Sequence, residues 1–508
     1  MNPQRKILDL TELASKIVSL KEQGRKVVLC HGVFDLLHIG HLRHLREARG
    51  MGDVLVVTVT ADQHVNKGPH RPAFPDQLRA EMLASLEIVD FVGIHNRPTA
   101  LEVITALRPN IYVKGSEFEN PTNDVTGAIE REAGAVRAAG GEMRFTHDIT
   151  SSSSHLINQY LELLPPQTHQ YLAEFRQQFS SACITEHLNR LRNLNVLVIG
   201  EAILDEYIFC DALGKSAKEP ILAMLQRSAD RYAGGSLAIA NHLADFCGKI
   251  ELLTYLGRVN SHEDFVRQNL RKTITPTFVH KANSPTILKR RYVDNYLSTK
   301  MLEVYEMNDA PISGEEEEQL LSALDEKLPR ADVVLVADYG HGLITPRIAD
   351  RLTKSSAFLA VNTQINAANL GFHTVSKYQR ADFVCVHEGE VRLDQRDRQS
   401  DLRGLVTDLA KRLQTSVVLV TRGRFGTLLY HRNEGFSECP AFAVKVVDRI
   451  GAGDAVLAIS AACIHQKMPQ EIVGFIANLV GAQSVMILGN STSIERVQLI
   501  KAIESLLK

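Results

Sequence analysis

Apolar positions along the first 163 residues recur with two alternating periods. Ile7, Leu10, Leu13, Ile17 and Leu20 share one helical face, so residues 7–23 predict an amphipathic helix. The run over 26–30 is short and nearly all apolar, which predicts a strand buried on both faces. The alternation continues with strands over 54–60, 89–94, 111–113 and 142–146. Helices are predicted over 39–49, 77–86, 100–107, 125–139 and 153–163. Strands that alternate with helices predict a doubly wound, Rossmann-like α/β domain whose ligands sit at the carboxyl ends of its parallel strands. Pro165-Pro166 ends this series, and residues 167–192 read as a polar helical connector. A second series opens at 195–200, with later strands over 250–256, 333–337, 358–361, 383–386 and 417–421. Residues 218–232 and 285–307 are richer in β-formers and predict a small sheet, a lid. The predicted organisation is a first domain over 1–164, a connector over 165–193 and a larger α/β domain over 194–508.

A chain of 508 residues exceeds one ordinary core, in keeping with that division. The net charge of -2 gives no global attraction to nucleic acid or anionic membrane, so anion binding must be local. No aromatic-basic stripe suggests a nucleic-acid partner. The seven cysteines are dispersed and form no Cys-x-x-Cys pair, which favours reduced thiols and a cytoplasmic location. The first residues lack the apolar stretch of a signal peptide. The most apolar late run, 474–489, holds Asn478, Gln483 and Ser484 and is too short and polar to span a bilayer.

Two stretches carry candidate chemistry. In the first, the strand over 26–30 runs into Gly32-Val33-Phe34-Asp35, and then His38-Ile39-Gly40-His41 opens a helix. A helix N-terminus favours anions through its free N–H groups. Two imidazoles there can donate to a phosphoryl oxygen as charge builds. Packing against the sheet or metal ligation is the competing use of such a pair. In order along the chain follow Arg71-Pro72, Arg79, Val113-Lys114-Gly115 and Ser152-Ser153-Ser154. With these pieces, residues 26–163 resemble the nucleotidyltransferase superfamily of cytidylyltransferases and heptose-phosphate adenylyltransferases. The resemblance implies nucleotidyl transfer from NTP to a phosphorylated acceptor with release of pyrophosphate. It implies that His38 and His41 stabilise the α-phosphate, that Lys114 and Arg79 neutralise phosphate, and that Ser152, Ser153 and Ser154 hold the outer phosphates. Gly32 and Phe34 would border the nucleotide, and Asp35 would fix the turn.

The second stretch is Gly451-Ala452-Gly453-Asp454, which precedes an apolar helix. Its glycines make room for phosphate, and Asp454 stands where a carboxylate can take a proton from an attacking hydroxyl. An Asp that merely caps the helix is the competing reading. Upstream lie Gly200-Glu201 and Asp205, then Gly234-Gly235, then Thr421-Arg422-Gly423 with Gly426. Residues 195–508 thereby resemble the ribokinase/PfkB sugar kinases, which implies a ribokinase-like fold with a β lid. The resemblance implies Asp454 as base, and Gly451, Ala452 and Gly453 around the transferring phosphate. Thr421, Gly423 and Gly426 would border ATP, and Asp205, Gly234 and Gly235 would border the sugar. Mg²⁺ would bridge the ATP phosphates near Glu390 through a water. The sequence departs from that family at Ala238, where an Asn contacts sugar, at His387 and at Arg449.

Together the halves resemble the bifunctional heptose kinase/nucleotidyltransferases, with the domain order reversed. The resemblance implies small-molecule sugar, sugar-phosphate and nucleotide substrates, with ATP for the kinase and ATP or CTP as nucleotidyl donor. It also implies a homodimer paired through the lids. Two alternatives stand beside it: a cytidylyltransferase for a polyol phosphate joined to a kinase of unrelated specificity, and a kinase-like domain that only binds a regulatory ligand.

Overall fold

The computed structural model describes residues 3–65, 71–119, 127–147, 164–443 and 445–508. The chain divides into two compact units, one of residues 1–166 with 497–508 and one of residues 167–496.

The first unit is built on six parallel strands: β1 (Ile7–Leu8), β2 (Val27–Gly32), β3 (Val54–Thr60), β4 (Phe91–His95), β5 (Ile111–Gly115) and β6 (Glu142–Thr146). Their order is β1-β4-β3-β2-β5-β6. Strand β2 shows why the run reads as continuously apolar. Val28 and Cys30 enter one core with Leu45, Ala48 and Leu83, whereas Val27 and Leu29 enter the opposite core with Leu13, Ile17 and Ile104. Both faces are covered, so alternation is lost. The helices are α1 (Leu10–Glu22), α2 (Ile39–Arg49), α3 (Asp76–Ala84), α4 (Leu101–Leu107) and α5 (Ala128–Ala138). The single helix expected over 7–23 is corrected. Asp9 caps α1 by accepting from Thr11 and Glu12 N–H, both at 2.8 Å, so Ile7–Leu8 is left extended and pairs with β4. The order reverses between β2 and β5, and the crevice beyond their carboxyl ends is where this topology places a ligand. The helix expected over 153–163 lies outside the described residues.

The second unit has a nine-stranded main sheet and a four-stranded sheet beside it. The main sheet contains β7 (Asn195–Gly200), β10 (Lys249–Val259), β11 (Ile274–Pro285), β14 (Val333–Asp338), β15 (Phe358–Thr363), β16 (Phe383–His387), β17 (Val417–Thr421), β18 (Thr427–His431) and β19 (Gly435–Cys439). Its order is β11-β10-β7-β14-β15-β16-β17-β18-β19, and every strand runs parallel except β18. The small sheet is β13 (Lys300–Glu306), β12 (Ile287–Asp294), β8 (Ala202–Lys215) and β9 (Leu222–Gly235), in that order. It realises the expected lid and adds β8, a strand the sequence reading did not assign. Residues 166–190 form two helices packed into this unit, where the Phe175 ring stacks on Phe475 at 4.6 Å. Among the described residues no helix is long and apolar enough to cross a membrane.

Candidate active sites

In the first unit, β2 delivers the chain to the switch point and Gly32 ends it. A Cβ on Gly32 would lie 3.2 Å from the Phe34 ring. Phe34 itself holds a left-handed φ of 49° and packs its ring against His41 at 5.4 Å. Such a backbone persists in a non-glycine residue only where its surroundings impose it. His38 then caps α2, its Nδ1 accepting from Gly40 N–H at 3.1 Å. A backbone N–H can only donate, so the neutral ring carries its proton on Nε2. That Nε2 is buried with no hydrogen-bond partner, and the His38 and His41 rings lie 4.2 Å apart. Burial lowers the His38 pKa, so at neutral pH the ring is an uncharged donor at a helix N-terminus.

Lys114 lies at the carboxyl end of β5, the neighbour of β2. Glu132 holds its ammonium at 3.0 Å, and the rings of Tyr112 and Phe118 lie 5.3 and 5.4 Å away. Its charge adds to burial in pushing down the pKa of His31 and His44, to about 4 for His44. Arg79 is a correction. Its side chain is fully buried and donates to the carbonyls of Phe74, Val33 and Thr60 and to Asp62. It clamps three segments and does not present a phosphate site. Asp35, also fully buried, accepts from Arg71 and from the backbone of Ala73 and Phe74. Ser152, Ser153 and Ser154 lie outside the described residues.

In the second unit, Gly451 precedes the helix Ala452–His465 with φ +81°. A Cβ there would stand 2.1 Å from Asn490 Oδ1, so both backbone and space demand glycine. Around Gly453 the space is open. Asp454, in the first turn, accepts from the Tyr339 hydroxyl at 2.8 Å. Burial raises its carboxyl to about 7, against the pull of that hydrogen bond. Asp205 adds to the rise, and the buried Lys289 opposes it. Asp205 lies on β8, ion-paired to Arg291 of β12, with Oδ2 2.0 Å from where a Gly234 Cβ would be. Gly235 has φ +57° and backs onto the Glu201 carbonyl. Asp454, Asp205 and Lys289 thus lie close enough to act on one another's charge.

At the end of β17, Thr421 leads into a tight turn closed by Arg422 N–H to Gly426 O at 2.8 Å. Gly423 and Gly426 both have positive φ, and a Cβ on Gly426 would strike the Cys439 carbonyl at 2.0 Å. Asp448 is buried and accepts from Tyr207 OH, Ile450 N–H, Gly489 N–H and Lys300. Tyr207 and Lys300 come from lid strands, so Asp448 ties the lid to the catalytic turn. Glu390 is raised to about 7 by burial and accepts from the backbone of Ile365 and His387. Each oxygen is thus used once and keeps a lone pair for a water, which fits an indirect role near Mg²⁺ and not a ligand cage. Among the described residues no group of three His, Cys, Asp or Glu is placed to hold a metal. His387 caps the following helix through Nδ1, at 3.0 Å from Gly389 N–H. Ala238 is buried, and Arg449 is exposed.

Sequence reasoning missed Tyr339, Lys289 and Arg291, and it quoted Glu201 beside Gly200 without giving it a role. Glu201 is wholly buried and accepts N–H bonds from Tyr339, His341 and Leu343 at 3.0, 3.0 and 3.3 Å, which shapes the loop that aims Tyr339 at Asp454. Lys289 is 5% exposed and rests over the Tyr305 ring at 4.9 Å. Two basic residues two apart, on a segment already read as β, were the available signal for Lys289 and Arg291.

Comparison with known proteins finds two family models along the chain. Residues 29–184 match the cytidylyltransferase-like family model, and residues 193–496 match that of the pfkB family carbohydrate kinases. In its N-terminal part the chain is 38% identical over 159 residues to "Bifunctional protein HldE" of Citrifermentans bemidjiense, covering 31% of each chain. It is 34% identical over 160 residues to the protein of that name from Geobacter sulfurreducens, again 31% of each. The alignment thus spans about a third of the length of the curated relatives it matches. The fold resembles that of the tetrameric inhibited form of phosphofructokinase-2 from Escherichia coli, with a TM-score of 0.50 at 13% identity, over 62% of this chain and 100% of that one. On the match over 193–496, the chain belongs to the pfkB family of carbohydrate kinases, and it carries a cytidylyltransferase-like domain ahead of the kinase domain.

Proposed function

We propose that the chain is a bifunctional enzyme. Its second unit phosphorylates a sugar, a heptose phosphate at the anomeric hydroxyl, with ATP. Its first unit transfers a nucleotidyl group from ATP or CTP to the resulting sugar phosphate, giving a nucleotide sugar and pyrophosphate. The observation that carries the reading is the pair of helix N-termini, each with its own chemistry: a carboxylate tuned to about 7 beside an open glycine turn, and two adjacent imidazoles at the start of a helix. The similarity of the N-terminal part to proteins named HldE supports the heptose assignment.

In the kinase reaction, ionised Asp454 takes the proton of the acceptor hydroxyl as the hydroxyl attacks the terminal phosphoryl group. Asp205 orients the acceptor, Lys289 balances the negative charge of Asp454 and Asp205, and the Gly451–Gly453 turn offers N–H groups to the moving phosphoryl oxygens. Glu390 would hold Mg²⁺ through a water, and the ion would supply charge neutralisation on the nucleotide. In the transferase, His38 and His41 donate to the α-phosphate and Lys114 neutralises the acceptor phosphate. No base is needed there, because the attacking phosphate is already ionised.

Pairing through the lid is part of the proposal. Leu213, Ile221 and Leu302 stand 58–66% exposed on or beside the small sheet, and light scattering should read twice the chain mass. The activity test is a panel of sugar phosphates and polyol phosphates offered with ATP or CTP and Mg²⁺, reading ADP and pyrophosphate. ADP with a heptose phosphate, and pyrophosphate with the corresponding 1-phosphate, are expected. Pyrophosphate with CTP and a polyol phosphate alone would replace this reading with a polyol cytidylyltransferase.

A further inference from the structure

Beside the transfer turn, the helix Ser236–Leu243 and residues 490–495 enclose a cavity of about 260 Å³ to which none of the steps above assigns a role. Two donors on residues of its lining lack acceptors. His242 is 2% exposed, and its Nδ1 accepts from Ile494 N–H at 3.0 Å. The ring therefore carries its proton on Nε2, and that buried N–H meets no partner. Burial, and then the charge of Arg271, lower its pKa to about 4, so it stays a neutral donor across the physiological range. Asn490 Nδ2 is a second buried donor without a partner. Arg271 adds a guanidinium, braced on Ser493 Oγ at 2.8 Å and 3.7 Å from Glu495. Folded proteins leave few buried donors unmet, since each keeps its full desolvation cost, so two in one cavity beside an arginine point to a missing acceptor.

We propose that this cavity is an oxyanion subsite that takes a phosphate group, held by His242 Nε2–H, Asn490 Nδ2 and Arg271. Asn490 also abuts Gly451 through its Oδ1, so the subsite adjoins the transfer turn without being part of it. The volume exceeds one phosphate group and leaves room for the carbon that bears it. Ala238 lines the same cavity, and its short side chain keeps it open toward the first turn of the helix. The phosphate has two sources: the non-reacting end of a phosphorylated acceptor, which rests on the sugar-kinase reading, or free inorganic phosphate bound as a ligand in its own right.

The test uses the full chain labelled with ¹⁵N-histidine and titrated with inorganic phosphate. The His242 Nε2–H resonance, assigned by its absence in His242→Phe, is expected to move on saturation. Arg271→Gln is expected to weaken that response tenfold or more, in line with the loss of a charge-assisted hydrogen bond. Because Arg271 is partly exposed, Arg271→Gln keeps the test open where His242→Phe fails to fold. A second arm compares KM for sugars with and without a distal phosphate. A rise in Arg271→Gln confined to the phosphorylated sugar assigns the acceptor's own phosphate. An unchanged KM with the resonance still moving assigns free phosphate. A chain with no kinase activity on any sugar, whose His242 resonance still responds, loses the kinase reading and keeps the subsite. A His242 resonance that phosphate leaves unmoved, with equal phosphate binding in Arg271→Gln, overturns the proposal.

Discussion

Tyr339→Phe removes one oxygen and isolates one cause of the Asp454 pKa. The Tyr339 hydroxyl donates to Asp454 Oδ1 at 2.8 Å and favours the ionised carboxylate, whereas burial opposes ionisation and leaves the group at about 7. A hydrogen bond to a charged group is worth roughly 1.5–3 kcal/mol, which equals about one to two pH units. Without it the acid limb of the kinase profile should move from about 7 to roughly 8–9. At pH 7 about half of the wild-type carboxylate is ionised, and only about 1–10% of the variant's would be, so kcat/KM should fall roughly five- to fiftyfold. Near pH 10 the two enzymes should converge, because the carboxylate is then ionised in both. The assay is ADP formation at sub-saturating acceptor across pH 5.5 to about 10, with the ratio of variant to wild type cancelling any titration of the substrate. A variant whose activity is lower by the same factor at every pH would refute the reasoning. It would show that Tyr339 places the loop and does not tune the base.

The remaining predictions concern the same two units. Asp454→Asn should stabilise the protein above pH 7. The folded pKa is raised from 3.8 to about 7, so stability is lost as pH climbs through that window. Removing the charge should restore at most about 4 kcal/mol at pH 8, by the usual 1.4 kcal/mol per tenfold, and nothing below pH 4. Melting curves at the two pH values read this, and an equal shift at both would contradict it. Arg79→Ala should lower the stability of the first unit by about 3–5 kcal/mol, the cost of breaking a buried charged network. If instead the melting point holds and only the KM for nucleotide rises, Arg79 is a ligand-binding residue after all.

Much of the fold was legible because buried parallel strands write themselves as apolar runs. The strands at 54–60, 142–146, 195–200 and 417–421 fall where the pattern puts them. Strand β8 was missed because only Glu201 separates it from β7, and that residue is a buried acceptor of backbone N–H groups, not a turn. Strands β18 and β19 were missed because they form a short edge hairpin with mixed polarity. The role of Arg79 was illegible for a different reason. Three of its acceptors are main-chain carbonyls, which every residue has and no motif marks. The partner of Asp454 lies 115 residues away along the chain, a contact that only the fold creates. The glycines were the most readable part of the sites. Gly426, Gly451 and Gly235 hold positive φ and have no room for a Cβ, which is the reason a sequence keeps glycine there.

Two helix N-termini of one chain each carry their own candidate phosphate chemistry. The most direct measurement follows ADP, pyrophosphate and nucleotide sugar together by ³¹P NMR, starting from a heptose phosphate with ATP and Mg²⁺. Wild type, Asp454→Asn and a His38→Ala/His41→Ala double variant are compared. The account predicts all three products from wild type. It predicts loss of ADP in Asp454→Asn, with pyrophosphate restored when the sugar 1-phosphate is supplied. In the histidine variant, the sugar bisphosphate that carries the new 1-phosphate should accumulate while nucleotidyl transfer falls by about a hundredfold or more. Loss of both activities in either variant, with the protein folded, would contradict two independent sites. ADP formation that survives Asp454→Asn unchanged would contradict the assignment of the base.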